Sequence, residues 1–336
     1  MATPDDTPRR GSILPYPNLQ NAAWEQSTES LTFRFGPWVF GKWRFASLTN
    51  RTSPLLQEKE SVEVPPVTQP VTFQQMLDQG NITRTIFFDR GAICYASYRG
   101  QRYFIDLCMG DFNDYMKKFS KKARYNLTRT VRQFAEQSGG SLDVRCYRSP
   151  EQMAEFCRLA VAISRLTYQH KVGFGFPDAE EFTKELIEEA EYGGVRGFVL
   201  ALNNQPASYA LCRINYDVIT YSLIGYDPRF IRLSPGKVLL YYLIENMFAE
   251  HTFRLFDFGG QGWDYKAYHA TSSISYLRVI WFPKTAKNLS LVVAHYLLLQ
   301  GWRAASELKR ISASRLGRVT SIISYFRKQP SHRMRA

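Results

Sequence analysis

Residues 218–258 read VITYSLIGYDPRFIRLSPGKVLLYYLIENMFAEHTFRLFDF. Val218 to Gly225 is rich in β-branched and aromatic residues and predicts a strand. Tyr226 to Leu233 reads as a loop. Pro235 suits the first position of a helix, because a proline there gives up only an N–H that the helix leaves unused. The helix is predicted from Pro235 to Phe248, and Arg254 to Phe258 is the next strand. A crossover helix between two neighbouring strands leaves backbone N–H groups free at its start, where the helix dipole favours an anion. Gly236, Lys237 and Val238 supply those N–H groups. Gly236 has no side chain to block a phosphate, Lys237 adds charge, and Arg229 and Arg232 stand just upstream. The same residues also fit a well-capped helix start that binds nothing.

Outward from this core the pattern stays mixed. Ser149-Pro150-Glu151-Gln152 predicts a capped helix start, with the helix running to about Tyr168. A second helix opens at Asp178 and ends at Gly193-Gly194. Phe198 to Leu202 and Ala207 to Asn215 predict strands joined through Asn203-Asn204. Beyond Gly259-Gly260 a short helix is expected at Asp264 to His269, then a strand from Tyr276 to Phe282. Further upstream, residues 84–108 read as a meander that turns at Arg99-Gly100. Phe112 to Phe134 has the period of one long amphipathic helix with a basic face from Lys117 to Arg132. Leu31 to Phe45 predicts a hairpin turning at Gly36-Pro37 or Gly41, and Asn50 to Pro70 a proline-rich loop. Helix is expected again from Asn288 to about Ile311, packed on the main domain, and from Val319 to Phe326. For that last stretch, packing and a membrane-interface position both stay open.

Composition narrows the classes. With 45% hydrophobic and 22% charged residues, the chain can bury a core without disulfides or metals. Its five cysteines are odd in number, form no C-x-x-C pair and fall in apolar segments. They read as core thiols of a reducing compartment. The histidines lack metal-ligand spacing, so no metal is expected. Met1 to Gln20 has no apolar run and does not read as a secretory leader. No apolar stretch is long enough to predict a membrane-spanning helix. A cytoplasmic location, with peripheral contact at the inner membrane face, is the expectation. From Gly301 onward nine Lys/Arg face one acid, a net of +8 out of +13 for the whole chain. This tail either meets an anionic partner such as a lipid surface or is simply solvated. Nucleic acid is not an expected partner, because the basic helix lacks interleaved exposed aromatics.

Thr167-Tyr168-Gln169-His170, Tyr226-Asp227-Pro228, Leu233-Ser234-Pro235-Gly236, Leu240, Ile244-Glu245, Asp257-Phe258-Gly259-Gly260 and Tyr265-Lys266, in this order, resemble the CelD-type GNAT acetyltransferases, a group related to the FemABX peptidyltransferases. The resemblance spans about Phe112 to Phe282. It implies an α+β fold of two GNAT-like units in tandem with mixed, mostly antiparallel sheets. The expected layout is a disordered N-terminus (1–30), a degenerate first unit (31–110), the acetyltransferase domain (111–285) and a basic helical extension (286–336).

It also implies acyl transfer, most simply acetyl, from acetyl-CoA or another acyl-CoA to an amine or hydroxyl, with a polysaccharide or envelope glycan as acceptor. Ser234, Pro235, Gly236, Lys237, Val238 and Arg232 would hold the cofactor. Tyr226, Asp227, Tyr168 and His170 would lie on the acceptor side. Tyr265 would return a proton to the leaving thiolate, with Tyr268 as a rival. Asp257 reads either as a base, or the group orienting one, or as a carboxylate capping the following turn. Lys266 reads either as an anion binder or as the outward stem of a short helix. The usual GNAT phosphate loop is richer in glycine than Arg232 to Gly236. The kinship with FemABX leaves an aminoacyl-tRNA donor as an alternative, and a non-catalytic scaffold as another.

Overall fold

The computed structural model describes residues 24–57, 63–89, 91–167, 170, 175–260 and 264–327, with side chains through 309. The fold is α+β and divides into two compact units. One is built from residues 54–57 and 100–276, the other from 24–53, 63–99 and 277 onward. The chain passes between them within two strands, β5 (Ala92–Asp106) and β11 (Ser272–Pro283).

In the unit of residues 100–276 the strands are β6 (Asp143–Tyr147), β7 (Val195–Leu202), β8 (Gln205–Asn215), β9 (Val218–Tyr226) and β10 (Leu255–Asp257), ordered β5-β10-β9-β8-β7-β6. β6 to β9 pair antiparallel. Asn203 and Asn204 both take positive φ between β7 and β8, the backbone a tight hairpin demands and one that asparagine tolerates. The continuous apolar run of β7 is explained by burial on both faces. Phe198 and Leu200 enter one core cluster with Leu239, Leu243 and Phe256, while Val199 enters another with Phe156, Leu186 and Leu211.

The helices of this unit are α1 (Phe112–Met116), α2 (Lys121–Gln137), α3 (Pro150–Ser164), α4 (Glu180–Glu191), a 3-10 turn (Pro228–Leu233), α5 (Pro235–Glu250) and α6 (Asp264–His269). α5 is the crossover between β9 and β10, which run parallel. It buries Val238, Leu239, Leu240, Leu243, Ile244, Met247 and Phe248, so apolar residues line most of its circumference.

The other unit orders its strands β1-β2-β3-β11-β5, with β4 on β5. These are β1 (Glu25–Phe35), β2 (Trp38–Asn50), β3 (Val71–Leu77) and β4 (Ile86–Asp89). β1 and β2 form the expected hairpin, turning at Gly36, whose φ is +61°. α7 (Ala286–Arg327) packs here through buried Val292 and His295. His295 Nδ1 lies 2.6 Å from the Tyr95 hydroxyl, and the Trp302 ring stands edge-on to Phe35. The stretch from Asn288 therefore packs as its pattern predicts. The side chains of Val319 to Phe326 lie outside the described residues.

Several expectations change. The single long helix from Phe112 is two helices. Asp111 and Asp114 cap the first reciprocally, and the Ser120 hydroxyl accepts from Ala123 N–H to start the second. Arg99-Gly100 makes no turn, since β5 runs straight through it. α3 ends at Ser164. β3 and the short edge strand β6 were not anticipated from the sequence. β1 starts at Glu25, within the stretch 1–30 expected to be disordered, and residues 1–23 lie outside the described residues. The compact units divide within β5 and β11 and not near 110 and 285, because Leu277, Val279 and Trp281 pack with Val71, Phe73 and Cys94.

Gly197 on β7 offers a direct test of this packing. A Cβ there would lie 2.5 Å from the Phe156 ring. Gly197→Ala should destabilise the protein by about 1–3 kcal/mol, read from urea denaturation. An unchanged midpoint would contradict the packing of α3 on β7.

Candidate active site

The site begins where two strands part. Among the described residues, β10 pairs with β9 over Leu255–Asp257 alone, opposite Val218–Thr220. β9 continues to Tyr226 with β8 on its other side. Asp257, the last residue of β10, is fully buried. Arg102 Nε donates to both of its carboxylate oxygens at 3.0 Å, and Arg102 Nη2 donates to Oδ2 as well. Thr220 Oγ1 donates to Oδ2 at 3.1 Å, and Gly259 N–H to Oδ1 at 2.9 Å. A buried charge is tolerated when it is paired and hydrogen-bonded in this way. Gly259 then turns at φ +73°. Of the two readings of Asp257, the turn cap is the one with these contacts on it. Arg102, which holds it, had no sequence signal beyond its place in a strand.

Lys266 is 7% exposed and donates to Gly260 O at 3.0 Å. It is neither an outward stem nor a residue of the cavity wall. Burial lowers its pKa, with Asp257 opposing that shift and Arg102 reinforcing it. It ties α6 to the turn after β10.

A cavity of about 1040 Å³ opens beside the unpaired length of β9. Tyr221, Ile224, Gly225 and Tyr226 of β9 form one wall. Ser234, Pro235, Gly236, Lys237 and Leu240 at the start of α5 form another. Tyr265, Tyr268 and His269 of α6 line it too, as do Lys122, Ala123, Asn126, Leu127 and Thr130 of α2. A volume at the upper end of small-ligand pockets leaves room for a long cofactor arm together with an acceptor.

At the start of α5, Ser234 takes the left-handed conformation (φ +51°, ψ +51°) and makes no side-chain cap. Its carbonyl accepts from Lys237 N–H at 2.9 Å and Val238 N–H at 3.2 Å. Two of the three N–H groups expected to be free are therefore used within the turn. Gly236 N–H has no partner among the described residues. A Cβ on Gly236 would meet only Tyr226 Cδ1, at 3.6 Å. Strain at a non-glycine left-handed residue is a frequent mark of a functional turn.

The remaining predicted residues separate. Val238 is buried in the core and Arg232 is exposed away from the cavity wall. Asp227 is buried and caps the 3-10 turn, accepting from Arg229 N–H at 2.9 Å and from the Arg229 guanidinium. That is its turn-starting reading, and it does not face the cavity. His170 is exposed and outside the cavity wall, and Tyr168 lies outside the described residues. No group of three or more potential metal ligands occurs among the described residues.

Tyr265 and His269 sit four residues apart, on one face of α6. Burial pushes the Tyr265 phenol up to about 12, so it stays protonated near neutrality. Burial, then Lys118 and Lys237, press His269 down to about 4, so its imidazole is neutral. The Tyr115 hydroxyl donates to the His269 carbonyl at 3.0 Å and lies 3.4 Å from Nδ1. Lys118 Nζ donates to Tyr268 O at 2.9 Å and also to Ala270 O, fixing the end of α6. His269 was not singled out by its sequence. Its spacing from Tyr265 is the signal that marks it.

Residues 121–267, under half of the chain, match the family described as "Acetyltransferase (GNAT) domain". No curated protein matches the chain by sequence. Among solved structures it is similar to FemX (11% identity, covering 85% of this chain and 95% of that one, TM-score 0.46). It is also similar to L-PGS from Bacillus licheniformis (15%, 67% and 71%, TM-score 0.41) and to a GCN5-related N-acetyltransferase from Kribbella flavida (11%, 64% and 69%, TM-score 0.33). Likenesses at this level carry no statement about activity.

Two outcomes follow from the geometry. Asp257→Ala removes the buried carboxylate that receives Arg102, Thr220 and the Gly259 N–H, and should cost about 3–5 kcal/mol in denaturant unfolding. A stable Asp257→Ala protein would remove the structural role. His269 titrates near 6.5 when unfolded and near 4 when folded, so the unfolded chain takes up the proton first as pH falls. Its share of stability is complete above about pH 6.5 and is lost toward pH 4. His269→Asn should flatten that part of a thermal-midpoint profile against pH, and an unaltered slope would contradict the burial of this ring.

Proposed function

We propose that the protein is an acyltransferase that takes its acyl group from a coenzyme A thioester held in the cavity at the start of α5. The observation that carries this reading is the unpaired edge of β9 beside a helix start with a free Gly236 N–H and the Lys237 charge. The match of residues 121–267 to the GNAT acetyltransferase domain falls on the same residues. The pyrophosphate receives Gly236 N–H and the Lys237 ammonium, where the helix dipole adds to the attraction. The pantetheine arm runs along β9 and offers its amides to the strand's unpaired edge.

The acceptor amine or hydroxyl attacks the thioester carbonyl, and the thiolate departs. Tyr265 carries the proton that the thiolate needs, because its phenol remains protonated at neutral pH. Neutral His269 accepts a hydrogen bond from the attacking group and takes its proton as the new bond to the carbonyl carbon forms. Positioning the two reactants supplies much of the rate gain. Asp257 and Lys266 act indirectly, by fixing the turn that sets α6 against β9.

Acetyl is the simplest acyl group. A glycan acceptor, as the CelD-type resemblance implies, fits the hydroxyl and amide groups of Ser120, Asn126, Thr130 and Ser208 on the cavity wall. A second reading, transfer from aminoacyl-tRNA, is favoured by exposed Lys121, Lys122, Arg129 and Arg132 on α2. Salt-sensitive tRNA binding would support it over coenzyme A.

Tyr265→Phe should slow turnover by about a hundredfold or more with the fold intact, and unchanged turnover would remove Tyr265 from the chemistry. The space around Gly236 admits a side chain, so Gly236→Leu should fold normally and weaken acetyl-CoA binding about tenfold or more in calorimetry. Unaltered affinity would place the cofactor elsewhere.

A further inference from the structure

The hairpin of β1 and β2 ends in solvent. Trp38, Val39 and Phe40 follow one another at its tip and are 64%, 63% and 68% exposed. Arg34 pairs with Val39 and Phe33 with Gly41, so Phe40 is the extra residue of a bulge. Bulges at strand ends turn side chains outward, and here the side chain turned out is a large aromatic. Trp43 and Phe45 farther along β2 point the other way and pack on Phe282, so the tip is not an extension of that core.

α7 exposes a second apolar surface. Leu289, Val293, Leu297, Ala304 and Leu308 recur at helical spacing on one face. Leu297 and Leu308 are 60% and 67% exposed. The face that packs inward carries buried Val292 and His295, and on the same side Trp302, 37% exposed, sets its ring against Phe35. The Trp302 ring covers the place where a Cβ of Gly36 would stand, so the hairpin tip and this length of α7 adjoin. Charge around both surfaces is basic. Arg34, Lys42 and Arg44 are exposed on the hairpin, and Lys287, Arg303 and Lys309 on α7, with Glu307 as the nearby acid. The sequence from residue 310 to the end adds seven Lys/Arg and no acid.

We propose that the hairpin tip and the outer face of α7 form a docking site for an anionic lipid bilayer. Trp belongs at the level of lipid headgroups, where its ring meets both hydrocarbon and water, and Phe enters the headgroup/acyl boundary beside it. An amphipathic helix with basic flanks lies in the plane of that interface. Lysine and arginine beside it gain from the negative surface potential of acidic lipids. The projecting tip enters a deformable surface, for which no complementary groove is needed. No helix among the described residues is long and apolar enough to cross a membrane, and the contact proposed is peripheral.

The test is co-sedimentation of the full chain with phosphatidylcholine vesicles, with and without phosphatidylglycerol. Binding should require phosphatidylglycerol and weaken as salt rises. The double variant Trp38→Ser/Phe40→Ser should lower the bound fraction about tenfold, with an unchanged circular dichroism spectrum. Lys42→Glu/Arg44→Glu should remove much of the salt-sensitive part. Quenching of tryptophan emission by brominated lipid in the unaltered protein, and its reduction in Trp38→Phe, reads the same insertion without a disruptive change. Binding that survives both double variants belongs to the basic tail alone and overturns the proposal. So does a failure to bind vesicles by a protein that dimerises in ultracentrifugation and is made monomeric by Leu297→Gln/Leu308→Gln, since the partner is then a second copy of the chain.

Discussion

The candidate site depends on one buried carboxylate. Asp257 ends β10, and Arg102, Thr220 and the Gly259 N–H surround it. A charge with no exposure must have these donors, and they fix the last paired residue of β10 opposite Thr220. Beyond that point the chain turns away at Gly259, and β9 runs on with one edge unpaired among the described residues. The cavity, the placement of α6 and the access of a ligand to the start of α5 all follow from this divergence. The structure thus exchanges the continuity of a ladder for an opening lined by backbone groups.

The cavity combines two kinds of wall. One is main chain, with the edge of β9 and the Gly236 N–H available to a cofactor that itself carries amides and phosphates. The other is α6, which presents Tyr265 and His269 from successive turns. Burial acts on these two in opposite directions, holding the phenol protonated and the imidazole unprotonated. A proton donor and a neutral acceptor in one cavity suit a reaction that takes a proton from the attacking group and gives one to a leaving thiolate.

Much of the fold was legible. The short helix Asp264–His269 and the hairpin through Asn203-Asn204 fall where the residues predicted them, because caps and positive-φ turns are local signals. The crossover through α5 was legible for the same reason. The interior strand β3 and the edge strand β6 were not, because strands of five to seven residues are too short to show a strong alternating pattern. The split between α1 and α2 was hidden by apolar spacing that continues across the break, with Phe119 buried on the same side.

Of the residues singled out in the sequence, the helix start at Ser234 to Lys237 and Tyr265 line the cavity. Sequence reasoning could not tell that Ser234 O would occupy Lys237 N–H and Val238 N–H, since that depends on a left-handed residue. Nor could it place Arg102 against Asp257 across 155 positions of chain. Long-range pairs of this kind are set by strand order, which the local pattern does not encode. The most direct measurement is a crystal structure of the protein with bound coenzyme A or a non-hydrolysable thioester analogue. The account predicts pyrophosphate oxygens within hydrogen-bonding distance of Gly236 N and the sulfur beside Tyr265, along the unpaired edge of β9. Coenzyme A bound away from that edge, with the cavity left to solvent, would contradict it.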